Sequence, residues 1–384
     1  MPAALEGLKV LELAGQVPVS FAGLLLADLG ADVVRIERPG GSPDEPIPPG
    51  HDLMNRGKRS VVLDLKRPEA VAVLMGMVDR ADVLIEGFRP GVAERLGVGP
   101  EQCAARNQRL VYGRVTGWGQ DGPYAQAPGH DITYIATTGV LHAIGAEGGA
   151  PQVPLSLVGN LAGGSAYLVI GVLAALRAAE RSGHGQVVDA AEIDGVAHLL
   201  APIHSLLNTG NWLDRRGVNM VDGGAPFYGV YETSDGKYMA VGAVEQRFFA
   251  DLLHGLGIEH PAGDQFEQED WPALRHQVAA VFKTRSQEQW AAVFDGARAC
   301  VSPVLSLREA ADHPQLKHRG TLQGAGNRLV PAAAPRLSDS TPSDALGPLS
   351  ELGADTSEVL TEWGVLGWED IVTVDRRGEG VEAP

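Results

Sequence analysis

Twice within the first 90 residues a short apolar run is followed by a helix-spaced stretch and then a second apolar run. "LKVLEL" (8–13), "VSFAGLLLADLG" (19–30) and "DVVRIE" (32–37) form the first such unit. "SVVLDL" (60–65), a helical stretch at 68–80 and "DVLIEGF" (82–88) repeat it, and "LVYGRVTG" (110–117) adds a further strand. Parallel strands need a crossover, and a helix supplies it, so this alternation predicts a parallel sheet covered on both faces. The first turn, "ELAGQVPVSFAG", has no G-x-G-x-x-G, which argues against a nicotinamide-binding domain of the same architecture.

A different pattern begins near residue 225. "YGVYETSDGKYMAVGA" (228–243) is two alternating runs around "SDGK", a hairpin signal. Helical spacing follows at 245–257, 271–283 and 286–297, and "CVSPVLSL" (300–307) reads as a strand that its proline confines to an edge or bulge. A chain of 384 residues is long enough for two domains. The expected organisation is a large Rossmann-like α/β domain (1–190), a linker helix (191–224), a smaller α+β domain (225–330), and a return through residues 331–384. Within that return, 330–348 reads as a Pro/Ala/Ser-rich linker and 355–363 as a short helix that joins the large domain.

At 44% hydrophobic and 21% charged the chain is globular, and its formal net charge of −17 opposes general affinity for nucleic acid or an anionic membrane. A local basic pocket for a small anion is compatible with that field. Two cysteines, Cys103 and Cys300, make neither a disulfide framework nor a zinc pattern. The N-terminus has no signal-peptide profile, the apolar stretch 166–178 is too short for a bilayer, and the C-terminus "GVEAP" carries no lipidation signal. A cytoplasmic protein is expected.

Several stretches could carry chemistry. "PLSLVGNLAGGS" (154–165) has the profile of a strand end feeding a helix, with Asn160 at its centre. "APGHDITY" sets His130 at a helix start, where free first-turn N–H groups favour an anion, so a base beside an oxyanion hole is one reading and a solvent-facing histidine the bland one. Arg38, Arg56, Lys58, Arg59 and Arg89 fall near strand ends, where arginines can hold phosphates, although isolated surface charge is the simpler reading at each position. Glu245 opens a helix, and Asp189, Glu192 and Asp194 in "GQVVDAAEIDG" read as capping residues.

Taken together, "LKVLELAG", "LLADLGADVVRIERPGG", "NRGKRSVVLDLK", "ADVLIEGFRPG", "RLVYGRVTGWGQDGPYAQAPGHDITY", "LVGNLAGGS", "GQVVDAAEIDG" and "NMVDGGAPFYGVYETSDGKYMAVGAVE" resemble the class III CoA-transferase and α-methylacyl-CoA racemase family, over nearly the whole chain. "PGHDITYIATTGVLHAIG" and "DGGAPFYGVYE" resemble its racemase branch. The resemblance implies ring-shaped subunits forming an interlocked homodimer, and an acyl-CoA thioester as substrate. Its CoA moiety would be held by Arg38, Arg56, Lys58, Arg89 and Tyr134, with no other cofactor and no metal. It also implies 1,1-proton transfer at the α-carbon. His130 would be one acid/base, Glu245 of the other subunit its support, and the backbone N–H of Asp131 a donor to the thioester oxygen.

At one position the chain departs from that pattern: "LVGN" stands where the family has "LVGD", so Asn160 occupies the place of the second acid/base. An amide neither relays a proton nor forms an acyl anhydride, which disfavours CoA transfer through this residue. Three explanations stay open: a deliberate replacement that traps a complex, a natural single-base site, or a racemase in which water or a neighbouring group substitutes. A one-base enolate could also serve elimination or C–C bond chemistry. The rival of a different class is an acyl-CoA-binding protein without turnover.

Overall fold

The computed structural model describes residues 3–41, 47, 49–324, 328–338 and 347–369. The chain divides into two compact units, Met1–Ile135 with Leu155–Leu199 and Val330–Pro384, and Ala136–Pro154 with Leu200–Leu329.

The first unit is built as the alternation predicts. Strand β1 (Lys9–Leu13), helix α1 (Val17–Asp28), β2 (Asp32–Glu37), β3 (Lys58–Val62), α2 (Pro68–Val78) and β4 (Val83–Glu86) are followed by α3 (Val92–Arg95), α4 (Pro100–Arg106) and β5 (Val111–Thr116). Proline opens α1, α2 and α4, where its missing N–H is harmless and its φ is already helical. After α5 (Asp131–Thr137) the chain passes into the second unit with α6 (Val140–Ala143). It returns as a π-helical stretch (Leu157–Ala166) that continues into α7 (Tyr167–Ser182), then β6 (Val187–Ala191) and α8 (Glu192–Leu199).

The six strands run β3-β2-β1-β4-β5-β6, every pair parallel, with Leu11 opposite Val34 and Leu84. The order reverses between β1 and β4, so the crevice beyond the carboxyl ends of these strands is the place where ligands of open α/β sheets bind. One sheet face packs Leu11, Leu13, Val34 and Leu84 against α2 and the returning α14 (Thr356–Glu362), with Val359, Leu360 and Trp363 buried there. The other packs Val10, Val33, Val83 and Val111 against α1 and α7.

In the second unit α9 (Ala201–Asn208) leads to a loop held by Asn219, whose side chain bonds to Leu213, Arg215 and Asp222. β7 (Tyr228–Glu232) and β8 (Tyr238–Gly242) form the hairpin around "SDGK", and α10 (Gln246–Leu256), α11 (Trp271–Phe282) and α12 (Gln287–Phe294) follow. β9 (Val301–Pro303), with its proline at the sheet edge, pairs with β8, and α13 (Pro314–Arg319) comes after it. Phe227, Leu274, Phe282 and Trp290 form the core of this unit.

The unit boundaries differ from the expected 1–190, 191–224, 225–330 and 331–384 in three places, the first being that residues 200–224 belong to the second unit instead of forming a separate linker. Residues 136–154 join the second unit, because Arg216 donates to His142 O (3.0 Å) and Gly149 O (3.1 Å) and Arg215 pairs with Glu147 at 2.8 Å. Residues 191–199 stay with the first unit: α8 starts at the last residues of β6, and Ile193 N donates to Gly117 O at 3.2 Å. The linker residues 339–346 and the C-terminal residues 370–384 lie outside the described residues.

The "LVGN" at 157–160 opens a π-helix, after a turn at 155–156, rather than ending a strand. Together with α7 it makes one helix, Leu157–Ser182, which extends the apolar stretch 166–178 to a length that by length and composition alone could cross a membrane. Leu168 and Val172 of that helix pack instead on β5, in the space left open at Gly113.

Candidate active site

The loops at the carboxyl ends of β2, β4, β5 and β6 carry Arg38, Arg89, the 117–130 segment and Glu192 respectively. These are the loops that a parallel sheet presents to a ligand.

After β5 the chain makes a long loop that ends at His130. The Tyr134 ring fills the space beside Gly117 and Gly129, where any side chain would collide with it, and stands edge-on to Trp118 at 4.9 Å. That wedge sets the start of α5. His130 sits directly before the helix with its side chain exposed. Its carbonyl accepts from Thr133 N (2.8 Å) and Thr133 Oγ1 (2.7 Å). The first amide of α5, that of Asp131, has no acceptor within its own helix.

Asp131 points the other way and is 4% exposed. Its Oδ2 accepts the backbone N–H of Asn160 at 2.7 Å, which fastens the residue after His130 to the π-helix. Gly159 makes this approach possible, since a Cβ there would lie 2.7 Å from the same oxygen. Long π-helical stretches are rare and gather at functional sites. His130, Asp131, Tyr134 and Asn160 are thus brought into one neighbourhood, with Asn160 half-buried.

By sequence Glu192 reads as a cap. It is instead 2% exposed and packs on Gly164, where its Cγ lies 3.0 Å from the position of an added Cβ. Gly163 and Gly195 let α8 approach the π-helix this closely. Burial, and next the negative charge of Asp131, push the Glu192 carboxyl up to about 8. Burial pushes the Tyr134 hydroxyl up to about 12, with Glu192 adding to the effect and Arg89 opposing it. Sequence reasoning missed Glu192. The available signal was a carboxylate placed directly after an apolar strand, at the end of the sheet where ligands bind.

The five strand-end cations do not share one end of the sheet. Arg38 and Arg89 are exposed on carboxyl-end loops, and Arg38 Nε donates to Gly41 O at 2.7 Å. Arg56 and Lys58 stand at the opposite end, at the start of β3, and both are consumed inside the protein. Arg56 makes a forked pair with Asp28 (3.2 and 2.6 Å), and it also bonds to Pro331 O at 2.5 Å. Lys58 Nζ, fully enclosed, bonds to Glu12 (2.6 Å) and Ser20 O (2.7 Å), and burial pulls its ammonium down despite Glu12. Both are therefore corrected from phosphate ligands to structural cations. Arg59 pairs with Asp32 and Glu362. Glu245 belongs to the second unit, exposed, at the N-cap of α10, and His142 belongs to that unit as well.

Comparison with known proteins agrees with this geometry. The sequence pattern described as CoA-transferase family III matches residues 5–356. The chain is 43% identical to α-methylacyl-CoA racemase of Mus musculus, over 94% of this chain and 93% of that protein. It is 42% identical to the Homo sapiens α-methylacyl-CoA racemase, over 94% of each. Among solved structures, a CAIB/BAIF family protein from Brucella suis superposes with a TM-score of 0.81 at 26% identity, covering 94% of this chain and all of that one, 100%. A pattern that spans most of the chain, and relatives this similar over their full length, establish that the chain belongs to CoA-transferase family III.

Proposed function

We propose that this protein enolises acyl-CoA thioesters at the α-carbon and epimerises that centre, with His130 as the base. The observation that carries the reading is the 2.7 Å bond from Asn160 N to Asp131 Oδ2, which ties the residue next to the exposed His130 to Asn160, the position the family resemblance gives to the second acid/base. The racemase relatives, at 43% and 42% identity, support the same chemistry.

In this mechanism Arg38 and Arg89, exposed on the carboxyl-end loops, hold the CoA phosphates through charge-assisted hydrogen bonds. Tyr134 supports the loop beneath the thioester. The thioester oxygen lies against the first-turn N–H of Asp131. Negative charge grows on that oxygen as the α-proton leaves, and a preset donor is worth more to the enolate than to the ground state. The exposed His130 imidazole takes the α-proton, the usual work of a histidine near neutral pH. Glu245 from a second copy of the chain orients it, so the working assembly is a homodimer. The Asn160 side chain donates a hydrogen bond and moves no proton. Position 160 also has no carboxylate with which to form an acyl anhydride, so CoA transfer by that route is chemically closed.

Replacing His130 by Ala tests the proposal. (R)- and (S)-2-methylacyl-CoA are incubated in D₂O with the dimeric protein and α-deuterium uptake is followed. Loss of exchange by about 100-fold or more is expected, the usual effect of removing a general base. Unchanged exchange would remove His130 from the mechanism. Tight binding of the thioester with no exchange in the native protein would favour a binding role instead.

A further inference from the structure

We propose that the proton Asn160 cannot carry is held by Glu192, which acts as the second acid/base of the site, paired with Asp131 in an enclosed cluster against the π-helix. The inference rests on the enolisation reading and names the group that completes it.

Three observations carry it. First, Glu192 Oε2 and Asp131 Oδ1 are both enclosed and neither has a hydrogen-bond partner among the described residues. Two carboxylates in one dry neighbourhood do not both ionise, and a proton held between them relieves the repulsion and turns one orphaned acceptor into a donor. Second, the cluster lies at the right place. Glu192 packs on Gly164, which follows Asn160 by four residues, about one turn of a π-helix, so the carboxyl stands along the face that Asn160 occupies. Asp131 bridges the two by its bond to Asn160 N. Third, the surroundings keep the acid neutral. The π-helix packed against α8 brings no titratable side chain. From α5, Asp131 and Tyr134 face Glu192, and Arg89 acts on Tyr134. On β6, Asp189 interacts with Arg114, Asp194 and Asp121 instead.

The chemistry balances without a co-reactant. The Cα–H bond breaks as His130 takes the proton, and its electron pair passes into the enolate. The Glu192 O–H bond then breaks as its proton is delivered to the opposite face of Cα, which restores a Cα–H bond and the thioester. The turnover leaves imidazolium and carboxylate. Exchange with water resets both, and the reverse reaction uses them in exchanged roles.

The test compares native protein, Glu192→Gln, Asn160→Asp and the double variant, with each 2-methylacyl-CoA enantiomer in D₂O across pH 5–9. Native protein should racemise both enantiomers. Glu192→Gln should lose inversion by about 100-fold yet keep α-proton exchange with retention for the enantiomer whose proton faces His130. Such a result also shows that the variant is folded. The rate of inversion in native protein should fall as pH rises through about 8, and that limb should be absent from the exchange reaction of Glu192→Gln. Adding Asn160→Asp to Glu192→Gln should restore inversion. Native racemisation rates in Glu192→Gln would overturn the inference and leave the enolisation reading standing. Exchange with retention alone in the native protein, unaltered by Glu192→Gln, would overturn it in the same way. No exchange in the native protein would overturn both.

Discussion

Buried charged side chains in two regions around the same sheet solve opposite problems. Across β1 and β3, Glu12 is met by Lys58 at 2.6 Å, while on β5 Arg114 is clasped by Glu86 (2.7 Å) and Glu94 (2.8 Å). In each of these a carboxylate has its cation. Beside the π-helix, Asp131 and Glu192 have no such cation among the described residues; each leaves an oxygen enclosed without a hydrogen bond, as Glu12 Oε1 also does, but Glu12 Oε1 has Arg35 Nε at 3.7 Å. A paired cluster locks register and excludes water. An unpaired acidic one stores a proton, at a cost in stability that a purely structural position has no reason to bear.

The largest effect is expected from breaking the paired cluster. Lys58→Ala leaves Glu12 buried without its ammonium, and the loss should be about 3–5 kcal/mol in denaturant unfolding. A loss below 1 kcal/mol would mean that Glu12 is readily hydrated and that the cluster is not closed.

Neutralising the acidic cluster should act in the other direction. The folded-state value for Glu192 lies above its ordinary one, so between about 4.5 and 8 the unfolded chain releases a proton that the folded protein keeps. Native stability therefore falls as pH rises through that window. Glu192→Gln removes the fall: its stability advantage should be near zero at the acid end and reach roughly 3 kcal/mol at pH 7, growing little above pH 8. Melting curves at several pH values check this, and a pH-independent difference would contradict the buried, protonated state.

The smallest effect separates the two ends of the sheet. Arg89→Ala, at the carboxyl end, should weaken CoA-ester binding by roughly 1–3 kcal/mol in calorimetry. An unchanged dissociation constant would take Arg89 out of the nucleotide site.

Much of the large unit was legible because buried parallel strands are continuous apolar runs: "LKVLEL", "DVVRIE" and "DVLIEGF" each proved to be a strand to within a few residues. β6 was not recognised. Its first three residues are exposed or half-buried at the sheet edge, so the buried signature is missing. The basic strand-end pattern was real, but residue type says nothing of which end of a strand it occupies. Arg38 and Arg89 follow their strands, whereas Arg56 precedes β3 and Lys58 is its first residue, and the latter two turn inward. The π-helix was also hidden, because an apolar, glycine-rich run such as "LVGNLAGGSA" has no period that separates it from a strand end.

What the sequence determined by itself is the alternation of strand and helix, the hairpin of the second unit, the position of His130 before a helix, and the amide at position 160. All are local patterns or single identities. The tertiary structure alone decided which cations are already spent, where residues 136–154 belong, and that Glu192, read as a cap, is instead sealed beside Asp131. Those outcomes depend on desolvation and on partners far away in the chain. Glu192 is 61 residues from Asp131, by their positions 192 and 131, and only the close approach of α8 to the π-helix puts the two carboxyls in the same dry space.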